Sequence, residues 1–67
     1  MRVNKEESAI LKLLQNQNFT ATELANRVAG DPIFNWDYWH KVHSTVFDMA
    51  KRGWIRRTGN NRTEFSK

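Results

Sequence analysis

Residues 42–65, VHSTVFDMAKRGWIRRTGNNRTEF, change their hydrophobic period partway through, and that change decides the fold. Val42, Val46, Met49 and Ala50 recur at spacings that place them on one face of a helix, with Trp39 one turn earlier. Gly53 interrupts the pattern with a residue that can leave a helix through positive φ. Beyond it Ile55 and Phe65 are the apolar anchors, and Gly59-Asn60-Asn61 between them has the composition of a turn. The stretch predicts a helix ending near Arg52 and a β-hairpin over about 54–66.

The two-residue repeat of strand side chains restricts the register of that hairpin. A two-residue Asn60-Asn61 turn sets Ile55 opposite Ser66 and puts Phe65 on the face of Arg56. A three-residue Gly59-Asn60-Asn61 loop sets Ile55 opposite Phe65, both toward the core, and Arg56 opposite Glu64. The second is the expected register, since Gly and Asn suit the positive φ such a loop needs.

Upstream, two more helices are signalled by their starts. Asn4 and Glu7 form a capping-box pattern ahead of Ala9, Ile10, Leu13 and Leu14, predicting a helix over about 5–17. Thr20 and Glu23 repeat the pattern, and Phe19 with Leu24 adds a hydrophobic staple. Leu24, Ala25 and Val28 give the inner face of this second helix, over 21–29, and Gly30 can end it. A connector, GDPIFNWD at 30–37, follows, in which Asp31-Pro32 can open a single turn. The third helix is expected over 36–52, capped by Asn35 or Asp37, with Tyr38, Lys41, Ser44, Thr45 and Asp48 on its outer side.

A chain of 67 residues allows one domain, 1–67, whose net stability at this size is about 3–5 kcal/mol. The absence of cysteine removes disulfides and thiolate metal sites. No apolar run reaches the roughly 20 residues of a membrane span, and no apolar signal core follows the first charges. A soluble, cytoplasmic protein is expected, nucleoid-associated in a bacterium or phage, with no membrane partner. Charge is distributed unevenly: residues 1–50 carry five basic and six acidic side chains, residues 51–67 six basic and one acidic. All of the +4 net charge therefore lies in the last quarter. That block is either a solvated tail or the footprint of a polyanionic partner.

TATELANRV at 20–28 and VHSTVFDMAKRGWI at 42–55 together carry a family resemblance. The first is similar to the second helix of a helix-turn-helix. The second resembles the recognition helix of the winged helix-turn-helix family, with Val42, Val46, Met49, Gly53 and Ile55 in the recurring positions. The resemblance covers roughly residues 5–67 and implies a mainly α fold of three helices with a small β-hairpin wing. It also implies sequence-specific binding of double-stranded DNA, as in a small transcriptional regulator or a phage- or plasmid-type DNA-binding factor. The third helix would enter the major groove and the basic wing would lie on the backbone or in the minor groove. Carried over residue by residue, base reading falls to Tyr38, His40, Lys41, Ser44 and Thr45. Backbone contacts fall to Thr20, Thr22, Lys51, Arg56, Arg57 and Arg62. A single domain contacts few base pairs, so a homodimer or tandem binding on DNA is expected.

One departure from the family is the connector, which is longer than a tight turn and rich in Ile33, Phe34, Trp36 and Trp39. Either these side chains extend a small core, or they are a partner surface. The second possibility gives the alternative reading: a protein–protein docking module using 30–39, with a protein partner held through Phe34 and Trp36. Catalysis is not expected. Asp37, His40 and His43 are spaced i, i+3, i+6 and drift around a helix, and Ser8 and Ser44 have no triad context. No cofactor and no metal are expected.

Overall fold

A computed structural model describes residues 3–58 and 64–67. Among them the chain forms α1 (Lys5–Leu14), β1 (Phe19–Thr20), α2 (Ala21–Ala29), α3 (Trp36–Lys51), β2 (Arg56–Arg57) and β3 (Glu64–Ser66). At 10 and 9 residues, α1 and α2 are too short to persist alone in water, so their caps and packing must hold them. Both capping boxes are complete. Asn4 Oδ1 accepts from Glu7 N–H at 2.8 Å while Glu7 Oε1 accepts from Asn4 N–H at 2.9 Å. Thr20 and Glu23 exchange the same two bonds at 3.1 Å each.

Helix α1 ends three residues before the expected 17. No glycine or proline stops it. Instead Gln15 N–H reaches back only to Lys12 O, at 3.4 Å, tightening the last turn ahead of a run of Asn and Gln. Helix α3 ends at Lys51 rather than 52, with Arg52 as its cap. Gly53 has φ +84°, its N–H bonds Ala50 O at 3.1 Å, and Trp54 N–H bonds Met49 O at 3.0 Å. That paired closure satisfies two of the helix's last carbonyls.

Three strands make one antiparallel sheet in the order β1-β3-β2. Strand β1, which helical periodicity hides because it is only two residues long, places Phe19 opposite Phe65 and Thr20 opposite Glu64. On the other edge Arg57 faces Phe65 and Arg56 faces Ser66. Both registers expected from the sequence are corrected by this pairing. Arg56 does not oppose Glu64, and Ile55 opposes neither Phe65 nor Ser66. The ladder is shifted two residues from the expected one, so side-chain faces are preserved and Ile55 and Phe65 are still buried. Phe65 is gripped by Phe19 on one strand edge and by an α3 aromatic below, which outweighs loop composition in setting the register. The Gly59-Asn60-Asn61 turn lies outside the described residues.

The core unites Ile10 and Leu14 of α1, Leu24 and Ala25 of α2, and Val42, Val46 and Met49 of α3 with Phe19, Ile55 and Phe65. Each such aliphatic side chain contributes about 1.5–3 kcal/mol by leaving water. Of the four apolar side chains at 33, 34, 36 and 39, Trp39 packs against this core and the other three do not enlarge it. Ile33, Phe34 and Trp36 are 82 %, 85 % and 58 % exposed. Phe34 N–H and Asn35 N–H both bond Asp31 O, and Ile33 N–H bonds Asp31 Oδ1 at 2.9 Å. The Asp31-Pro32 turn thus closes on itself and holds its apolar tips away from the helices. Trp39, expected on the inner face, is only partly buried, and its indole N–H donates to Asn26 Oδ1 at 2.6 Å. Asn35 stands at the cap position of α3 without capping it; its side-chain amide bonds Ala29 O instead, at a long 3.5 Å.

Candidate nucleic-acid interface

The buried stripe of α3, Val42, Val46 and Met49, leaves most of the helix circumference to other uses. Two flanks of different chemistry border it. On one, Trp36, Trp39, His43 and Phe47 follow at spacings of three and four and stack into a ladder. Trp36 and Trp39 lie 5.6 Å apart with planes 12° from parallel. Trp39 and His43 are 5.0 Å and 17° apart, and His43 meets Phe47 at 5.2 Å. Phe47 then contacts Phe65 of β3 edge-on at 5.6 Å. Arg57 of β2 closes the ladder, its guanidinium carbon 5.7 Å from the Phe47 ring and 5.8 Å from Phe65. The cross-strand pairing explains this position, because Arg57 and Phe65 share a face of the sheet.

Thr20 and Thr22 at the start of α2 join His43, Phe47, Arg57 and Phe65 around one shallow groove. The groove brings the α2 N-terminus, the exposed edge of α3 and the basic strand to a common surface. His43 is held more neutral than an ordinary histidine, first because burial disfavours its charge and second because His40 is near.

The other flank is acidic and already occupied. Lys41 Nζ lies 3.7 Å from Glu6 Oε1. Backbone hydrogen bonding, opposed in part by burial and reinforced by Lys41 and Tyr38, lowers the Glu6 pKa. Burial and Glu6 together raise that of Tyr38. Arg52 bridges Asp48 at 3.0 Å and the buried Glu7 at 3.6 Å, tying α3 to α1. Thr45 Oγ1 donates to Lys41 O at 2.8 Å.

The sequence-derived base-reading set is therefore divided. His40, Lys41 and Ser44 are exposed on α3, but Tyr38 and Thr45 are partly buried. The helical repeat accounts for this correction, since Tyr38 and Thr45 bracket Val42 at four and three residues and fall on the edge of its stripe. Of the backbone set, Thr22, Lys51, Arg56 and Arg57 are exposed, and Thr20 is partly buried with its hydroxyl engaged as a cap. None of Lys51, Arg56 and Arg57 has an ion-pair partner among the described residues. Arg62 lies outside the described residues. The ladder residues Trp36, His43 and Phe47 were not assigned to the site from the sequence. Their spacing of i, i+7, i+11 carries the signal, but the sequence reading gives Trp36 to a partner surface and takes the α3 pattern from Val42, Val46 and Met49.

Among the described residues no three His, Asp or Glu side chains gather to hold a metal ion. No helix there is long and apolar enough to cross a membrane. No family model matches the chain, and no curated protein or solved structure is significantly similar to it.

Proposed function

We propose that the chain is a winged helix-turn-helix protein that binds double-stranded DNA, with α3 in the major groove and β2–β3 as the wing. The observation that carries this reading is the convergence of Arg57 with the exposed edge of α3 and the start of α2, with Arg56 exposed beside it on the same strand. Backbone contact by exposed cations beside a helix helps to hold a reading helix in register on a duplex. His40 and Ser44 are the side chains best placed to meet base edges. Lys41 would first have to leave Glu6. A regulatory role in transcription follows if the binding prefers one sequence.

A duplex titration at two salt concentrations tests the reading. Three phosphate contacts, by Lys51, Arg56 and Arg57, give a log–log slope of about −2.7, hence roughly 40-fold weaker binding at ~200 mM than at ~50 mM salt. Affinity that stays flat over that interval excludes the electrostatic account.

A second reading is favoured by one specific observation, the exposure of Ile33, Phe34 and Trp36. Contiguous exposed apolar side chains mark partner surfaces, so the connector supports protein docking, alone or beside DNA binding. The two readings use different residues and are separable by substitution.

A further inference from the structure

A second groove, about 710 Å³, runs between α1 and α2 and shares no lining residue with the wing-side groove. Its floor is apolar, with Leu13, Phe19 and Val28, and its rim is cationic, with Lys5 and Lys12 on α1 and Arg27 on α2. No carboxylate lines it. Arg27 is anchored at the rim by lying 4.7 Å over the Phe19 ring. Glu6, beside Tyr38 at the α3 end, is already matched by Lys41.

Separation decides what such a groove can hold. Lys5 and Lys12 are seven residues apart on one helix, about 10 Å at the rise of an α-helix. One small carboxylate cannot meet both and Arg27 as well. An elongated occupant, with an apolar stripe and acidic residues a turn or more apart, can. We propose that the α1–α2 groove docks an acidic amphipathic helix of a partner protein, with its leucine-like stripe on Leu13 and Val28 and its carboxylates on Lys5, Lys12 and Arg27. This is recognition of a helix in a groove, with charge fixing its orientation. The inference does not depend on DNA binding.

The probe is a fluorescein-labelled synthetic peptide with leucines at helical spacing flanked by glutamates. Its control has lysines in place of the glutamates. Fluorescence anisotropy gives affinity with the intact chain, and amide chemical shifts locate the contact. The expected results are saturable binding of the acidic peptide only and shifts centred on Leu13 and Val28. Lys5→Glu/Lys12→Glu should weaken binding about tenfold or more, through reversal of two exposed charges. Lys5→Gln/Lys12→Gln should weaken it less, and Arg56→Ala/Arg57→Ala should leave it unchanged. Each variant is first shown to melt cooperatively. Equal binding of the lysine peptide, shifts at Trp36 and Phe47, or loss on removing Arg56 and Arg57 would each overturn the proposal. So would self-association abolished by Lys12→Glu, which would put a second copy of the chain in the groove.

Discussion

Arg52 and Arg57 belong to the same basic stretch and do opposite things. Arg52 is spent inside the molecule, on Asp48 and on the buried Glu7. Removing it takes the ion-pair partner from buried Glu7 Oε2 while Oε1 keeps the Asn4 N–H, and with Arg52 itself half-exposed the cost is about 1–2 kcal/mol. Urea denaturation of Arg52→Ala should show that loss, while the salt slope of the proposed duplex binding should not move. Arg57 faces outward over Phe47 and Phe65, so its charge remains available. His43 gives a separate signature. Burial and His40 lower its pKa below the ordinary 6.5, so the folded state binds a proton less readily than the unfolded state. The unfolded state then holds more protons, and stability rises with pH across the interval between the two values. Its contribution is complete above pH 6.5 and declines as pH falls through the folded value. His43→Phe, which keeps a ring in the stack, should lack this component when urea midpoints are compared from pH 7.5 down to about 5.

At the scale of elements, caps and stops carry much of the specification. Thr20 both caps α2 and pairs with Glu64 in the sheet. Thr20→Ala should cost about 1 kcal/mol, within the usual range for a lost N-cap. Gly30 has φ +87° and ψ −159°, a conformation essentially confined to glycine, with open space around its missing Cβ. Gly30→Ala should therefore destabilise by about 1–3 kcal/mol through the backbone alone, and thermal melts of the two variants check both figures. These same residues show why the helices were legible in the sequence. A capping box is a local pattern of four residues, and its hydrogen bonds form wherever the pattern is real. The start of α2 and the end of α3 were fixed in this way by Thr20, Glu23 and Gly53. Strand β1 was not legible, because two residues have no periodicity and Phe19 also fits a hydrophobic staple. Hairpin register was not legible either. It depends on Phe65 meeting Phe19 and Phe47, residues 46 and 18 positions away. The ladder on α3 was half legible: its spacing is written in the sequence, but which rings face solvent depends on where α2 packs.

Across the whole molecule, formal charge and available charge differ. Lys41 and Arg52 answer Glu6, Glu7 and Asp48, so the cations without an ion pair among the described residues include two separate groups, Lys51, Arg56 and Arg57 near the sheet and Lys5, Lys12 and Arg27 along the α1–α2 groove. Three exposed patches bear on the proposed duplex binding: Arg56 and Arg57 on β2, the outward side of α3, and the apolar connector. Substitution in each patch should leave the others' signals intact. Arg56→Ala/Arg57→Ala should weaken binding to every duplex by a similar factor and reduce the salt slope by about two units. His40→Ala or Ser44→Ala should leave that slope alone and cost about 1–3 kcal/mol on a preferred site only. Phe34→Ser/Trp36→Ser removes exposed apolar surface and little core, so folding should survive and duplex affinity should be unchanged if the connector serves a protein partner. Selection over random duplexes with each variant, after circular dichroism confirms the fold, compares all three patches in one assay. Loss of duplex binding confined to the connector variant, with the wing and α3 variants behaving as wild type, would reverse the assignment. The reading surface would then lie at the tip of the turn at 31–35, and α3 would be a scaffold for it.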